Sequence, residues 1–205
     1  MRALTVTLLV CLSAPALGEP AKLTIPLRVR VARCGGQRVR DTAWVDAHLE
    51  ATRRVFGRHG INLDVTRETF TPKRCTLLNA AQRHALAHHV EMDGKATVLL
   101  VRRVRDLAVP TYDLMGVHWR YRGRNRRLRG RRWVLLTARA RPPVLAHELA
   151  HYFGLRHDRK GGNLMTPGPS DLSWRSARPP RPFKARLTKT QARQLRRAIK
   201  RFGRN

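Results

Sequence analysis

The sequence predicts an α+β fold in one domain, and three observations lead there. Apolar residues switch repeatedly between the alternation of half-buried strands and the three-to-four spacing of helices. The resulting order is strand, helix, strand, helix, three strands, a metal-bearing helix, a turn and a last helix. The length of 205 residues suits one domain with a substantial core. Residues 147–158 read H-E-L-A-H-Y-F-G-L-R-H-D, a metal-binding pattern that begins on a helix and ends beyond it.

Residues 1–18 read as a secretory signal, with Arg2 as a positive start, an apolar run over 3–12 and the small residues Ala16 and Gly18 near a cleavage point. An uncleaved anchor is the alternative. Val10 precedes Cys11 where a lipoprotein signal would carry a small residue, which speaks against lipidation. No other segment is long and apolar enough to cross a bilayer. The expected address is therefore secreted or periplasmic, and the expected mature domain is 19–205. Cys34 and Cys75 remain as an even pair in an exported chain, so a disulfide between them is expected.

Residues 23–32 alternate apolar and basic side chains, a half-buried strand. Asp41 caps a helix over 42–58, with Trp44, Ala47, His48, Ala51 and Val55 on one stripe. His48 on that stripe reads as a packing residue. Residues 61–65 alternate again as a second strand. Asn79 with Gln82 forms a capping pattern for a helix reaching to about 91. His84 and His88 on it have no third ligand in view and read as surface or packing residues. Asp93-Gly94 makes a turn into an apolar third strand over 96–104. Residues 115–121 form a short strand with Val117, Trp119 and Tyr121 on one side and Gly116, His118 and Arg120 on the other. An Arg-rich loop leads into a strand over 133–138. Pro142-Pro143 opens the metal helix, where proline suits the first turn. Residues 167–182 are rich in Pro, Ser and Arg and read as an irregular wrap. Thr188 with Gln191 caps a last helix over about 188–203.

In the metal pattern, His147 and His151 are four apart, so both imidazoles lie on one helix face. Gly154 can end the helix and turn the chain back, which brings His157 from the far side. Three neutral nitrogen ligands leave one tetrahedral position of a zinc ion open for water. Glu148, beside the first ligand, is placed to take a proton from that water. Asn163-Leu164-Met165 follows, with Met165 eight residues past His157.

Together these residues resemble the metzincin clan of zinc peptidases, whose long histidine motif is followed by a tight turn bearing a methionine beneath the metal. The resemblance implies a twisted mixed five-stranded sheet over two long helices, the metal helix and a small C-terminal subdomain. It implies one catalytic Zn²⁺ held by His147, His151 and His157. Glu148 is then the general base and acid, and Met165 is the methionine of the turn. It implies a protein or peptide substrate that pairs with an edge strand above the cleft. The candidate for that strand is Gly116, Val117, His118 and Trp119. Asp158 after the third histidine is similar to adamalysin-type members, where it ties the loop to the helix. No tyrosine stands two residues past Met165, where astacin-like and serralysin-like members carry one; Thr166-Pro167 stands there instead. The clan is thus assigned without a subfamily.

The net charge is +30, from 43 basic against 13 acidic residues. Nucleotide bias toward arginine codons explains this as well as attraction to polyanions or an anionic envelope surface does. The charge peaks in the Arg-rich segment 120–132, flanked by Trp119 and Trp133. No nucleic-acid-binding motif accompanies it, so a dedicated nucleic-acid reader is not expected. The leading expectation is an exported zinc metalloendopeptidase. Two alternatives stand beside it: a zinc hydrolase acting on cell-wall peptide cross-links, and a polyanion-binding protein with a non-catalytic zinc. Retention of Glu148 speaks against the last.

Overall fold

A computed structural model describes residues 23–158, 162–167 and 184–204. The expected signal segment, and the wrap over 167–182 apart from Pro167, lie outside the described residues.

The chain runs β1 (Leu23–Cys34), β2 (Gln37–Arg38), α1 (Thr42–Gly57), β3 (Ile61–Phe70), β4 (Thr76–Leu77), α2 (Ala80–Ala85), β5 (Ala96–Val101), β6 (Arg103–Arg105), β7 (Asp113–Leu114), β8 (Gly116–Arg120), β9 (Arg132–Thr137), α3 (Pro143–Tyr152) and α4 (Lys189–Phe202). The main sheet has the order β3-β1-β5-β9-β8, with two-residue β2 extending the end of β1. Its first four strands are parallel; β8 is antiparallel to β9 and forms an edge. This is a mixed α+β fold with the five long strands the sequence implied. A second small sheet, β4-β6-β7, was not anticipated.

The period of two decides which face each strand residue joins. Ile25, Leu27, Val29, Val98, Leu100, Val134 and Leu136 meet α1, α3 and α4 in the larger core. Leu99, Val101, Trp133 and Leu135 point the other way, onto Phe70, Leu86, Ala87, Val90, Val104 and Leu128. Both faces of β5 are covered, so all six of its residues are buried.

Several expectations change in detail. β3 is ten residues long, twice the predicted 61–65, because it pairs with β1 from Leu23↔Ile61 to Ala32↔Phe70. Its second half carries Arg67 and Glu68, which hid the strand pattern. The predicted apolar strand 96–104 breaks at Arg102, and its tail becomes β6, which pairs with β4. The predicted helix 79–91 is α2 followed by a single 3₁₀ turn, Leu86–His89. β1 is not half-exposed: Arg28 and Arg30 lie under the segment carrying Glu91 and Asp93. The expected disulfide is present between Cys34 and Cys75, with Cα atoms 6.1 Å apart, and ties the end of β1 to the start of β4.

The helix caps are as anticipated. Asp41 accepts from the Trp44 amide at 2.8 Å, and Asn79 from the Gln82 amide at 2.9 Å. Thr188 and Gln191 form a reciprocal capping box. Among the described residues no helix is long and apolar enough to cross a membrane.

Candidate metal centre

α3 presents His147 and His151 one turn apart on the same face. The helix ends at Phe153, and Gly154 takes a positive φ of 93°, a conformation glycine adopts without strain. Its amide donates to the His151 carbonyl at 2.9 Å and the Leu155 amide to that of Ala150 at 3.0 Å, closing the helix and reversing the chain. His157 arrives from the opposite side. The Nε2 atoms of the three histidines lie 3.0, 2.9 and 3.3 Å apart.

The outer ring nitrogens show which atoms face the centre. His147 Nδ1 donates to the Leu164 carbonyl at 2.6 Å, and His151 Nδ1 to the Leu155 carbonyl at 2.7 Å. A carbonyl only accepts, so both protons sit on Nδ1 and both Nε2 lone pairs point inward. Burial, then the neighbouring His147, pushes His151 down to about 3, so it is neutral over the physiological range. Two inward lone pairs with no proton between them repel; a cation at the centre turns that repulsion into coordination. Ligands of a tetrahedral ion at about 2.0–2.1 Å lie about 3.3–3.4 Å apart, close to the spacings here. The three-imidazole set therefore fits a divalent first-row metal, and backbone carbonyls orient two of its rings from outside.

The turn below the centre is held by its own hydrogen bonds. The Asn163 side chain accepts from the Met165 amide at 2.8 Å, and the Thr166 hydroxyl donates to the Asn163 carbonyl at 2.8 Å. Met165 is completely buried in the larger core. The Asp158 amide donates to the Met165 carbonyl at 2.8 Å, and its carboxylate accepts from Asn163 Nδ2 at 2.6 Å. Gln191 of α4 reaches both Asp158 and Asn163, at 3.5 and 3.2 Å. Asp158 thus joins the third-histidine segment to the turn and, through Gln191, to the last helix.

Glu148 is buried on the side of α3 that faces β8. The contact is with Gly116, where a Cβ would stand 2.7 Å from Glu148 Cγ and 2.8 Å from Val144 Cγ1. His118, next on the same side of β8, lies edge-on to Tyr152 at 5.7 Å. Burial, then Arg132 and Arg120, pushes His118 down to about 4, so it too is neutral. Val117 and Trp119 turn to the opposite face and pack on the smaller core.

β8, the three histidines and Glu148 line one cleft of about 660 Å³, which continues past Gly154 to Arg156 and His157. All the histidines, the glutamate and the edge strand expected from the sequence are brought together here. Sequence reasoning missed Arg83 of α2 and the 106–108 turn, which also line it. Nothing in their spacing marks them, since they reach the cleft through the packing of the small sheet. His84 accepts from Trp119 Nε1 at 3.2 Å and is a packing residue, as expected; His48 is buried, with its ring on the Trp44 carbonyl at 2.8 Å.

No family model matches the sequence, and no curated protein matches it either. Its likenesses are to solved structures. Mature mirolysin from Tannerella forsythia, in complex with a cleaved peptide, superposes with a TM-score of 0.51 at 11% identity, over 70% of this chain and 68% of that one. Metalloproteinase-II from Bacteroides fragilis superposes with a TM-score of 0.52 at 14% identity, over 89% of this chain but only 55% of the other. The chain thus spans little more than half of the Bacteroides protein. At these identities the likeness shows the fold alone, an α+β fold shared with these two proteins.

Proposed function

We propose that this chain is an exported zinc metalloendopeptidase. The observation that carries the reading is the convergence of three Nε2 atoms within 3.3 Å beside a buried glutamate, at the floor of a cleft bounded by a sheet edge. His147, His151 and His157 are the metal ligands of this reading. A zinc ion held by them supplies Lewis acidity to the scissile carbonyl and the attacking water.

The remaining work falls to the chain itself. Glu148, buried against Gly116 and lining the cleft beside the three histidines, takes the proton released as the water oxygen bonds to the carbonyl carbon. It passes that proton to the nitrogen as the carbon–nitrogen bond breaks, so the amine leaves neutral. The outer edge of β8, the end of the sheet among the described residues, receives the substrate as an added strand, through main-chain hydrogen bonds. Gly116, Val117, His118 and Trp119 are the residues of that edge. Asp158 and the Met165 turn hold the third histidine in place, a positioning role. The export part of the reading rests on the N-terminal signal pattern together with the Cys34–Cys75 disulfide.

The test is cleavage of a diverse peptide pool read by mass spectrometry, before and after chelation and after zinc is returned. Cuts inside peptides that vanish with chelator and return with zinc support the reading. Cuts insensitive to chelation, or no cuts in the zinc-loaded protein, overturn it. In the second case, hydrolysis of wall cross-links is the reaction to assay next.

A further inference from the structure

We propose that the cleft selects substrates carrying an acidic side chain, Asp or Glu, through the guanidinium of Arg83. The inference rests on the peptidase reading above.

Arg83 is 2% exposed, yet it lines the same cleft as the histidines. Its guanidinium lies over the Trp119 ring at 4.7 Å and donates to the Arg105 carbonyl. Its Nε is buried without a hydrogen-bond partner, and no ion pair among the described residues includes it. A buried guanidinium remains charged, and leaving it without a carboxylate is costly. Stacking on Trp119 offsets part of that cost. Asp106 attracts it without contact, and one oxygen of Asp106 is already taken by the amides of Ala108 and Val109, at 2.7 and 3.3 Å. The other carboxylate lining the cleft, Glu148, is assigned to proton transfer. Arg156 is exposed on the far wall, beyond Leu155. The cleft therefore offers cations to a substrate, and a substrate carboxylate is the partner Arg83 lacks. Over longer range, a chain of net charge +30 draws acidic segments toward it.

The position of the acid follows from the strand. Gly116 touches Glu148, and Trp119 is three residues further along β8. At 3.3 Å per residue that is roughly 10 Å, so the acid would sit two or three residues from the scissile bond.

The experiment compares peptide pairs that differ only by Glu or Gln at those positions. kcat/KM is measured with the zinc-loaded wild type, and affinity with the zinc-loaded Glu148→Ala protein. The expected result is a Glu/Gln ratio of about tenfold or more in both, falling toward one in Arg83→Met and rising in Asp106→Asn. Arg83→Lys, which keeps the charge where Arg83→Met fails to fold, should retain a ratio above one. Efficient cleavage with a ratio near one, or a preference for Lys, overturns the inference and leaves the peptidase reading standing. Discrimination in binding without any cleavage supports the acidic subsite and overturns the peptidase reading. Neither binding nor cleavage overturns both.

Discussion

At Gly116 the backbone of the edge strand passes so close to α3 that a single methyl group would displace Glu148. The added Cβ would stand 2.7 Å from Glu148 Cγ and 3.2 Å from Oε1, and Val144 closes the other side at 2.8 Å. Neither neighbour can retreat cheaply, because Glu148 is buried and Val144 packs on the core. Gly116→Ala is therefore expected to shift the carboxylate and lower kcat by about 10–100-fold, with KM and metal content nearly unchanged. Steady-state kinetics and metal analysis check this; an unaltered kcat would mean that Glu148 does not work from this position. The histidines and Glu148 were legible in the sequence, because their spacing is local and a helix converts it directly into geometry. The requirement at residue 116 was not. It arises where a strand meets a helix almost thirty residues away, and a glycine in a strand reads only as a weak point. Arg83 was illegible for the same reason.

At the scale of elements, β1 shows what a two-residue period leaves open. Alternating basic residues on 23–32 predict a face toward water, whereas Arg28 and Arg30 are bridged by acids from two other segments. Arg28 meets Glu68 at 3.1 Å and Asp93 at 2.6 Å; Arg30 meets Glu68 at 2.6 Å. Three of the chain's thirteen acidic residues, Glu68, Glu91 and Asp93, are spent on this cluster. Burial alone would raise the Glu68 and Asp93 carboxyls. The Arg30 and Arg28 guanidiniums at Glu68, and that of Arg28 at Asp93, outweigh it, so both sit below their ordinary values of 4.5 and 3.8. A depressed folded-state pKa contributes stability above the ordinary pKa, lost as pH falls through the folded one. Denaturant melts below pH 4.5 should therefore show wild type losing stability more steeply than Glu68→Gln. At pH 7 that variant should be less stable by roughly 1–3 kcal/mol, since it leaves buried cations under-paired. Parallel pH profiles for the two proteins would contradict this role. The same hidden pairing explains why β3 was read at half its length: Arg67 and Glu68 interrupt the apolar pattern while remaining in the ladder.

For the whole molecule, the proposed metal site is a joint between the domain's parts. α3 supplies two of the three converging histidines, the segment after Gly154 the third, and the Asn163–Thr166 turn, held by Gln191 of α4, supports them from below. An ion bound only by the folded chain should stabilise all of it together. Removing zinc is expected to lower Tm by about 5–15 °C, from an affinity 100 to 1,000 times tighter than the free metal level and a chain of this size. A Tm unaffected by chelation of zinc-loaded protein would contradict the coupling. The fold class was legible because local patterns named most elements in order. The small sheet β4-β6-β7 was not, since two- and three-residue strands carry no periodic signal.

The most direct test of the account is a paired measurement on wild type and Glu148→Ala. Each protein is assayed for bound zinc, then incubated with the same peptide pool. The account predicts one zinc ion in both, with peptide cleavage by wild type alone. No zinc in wild type, or equal cleavage by the two proteins, would contradict it.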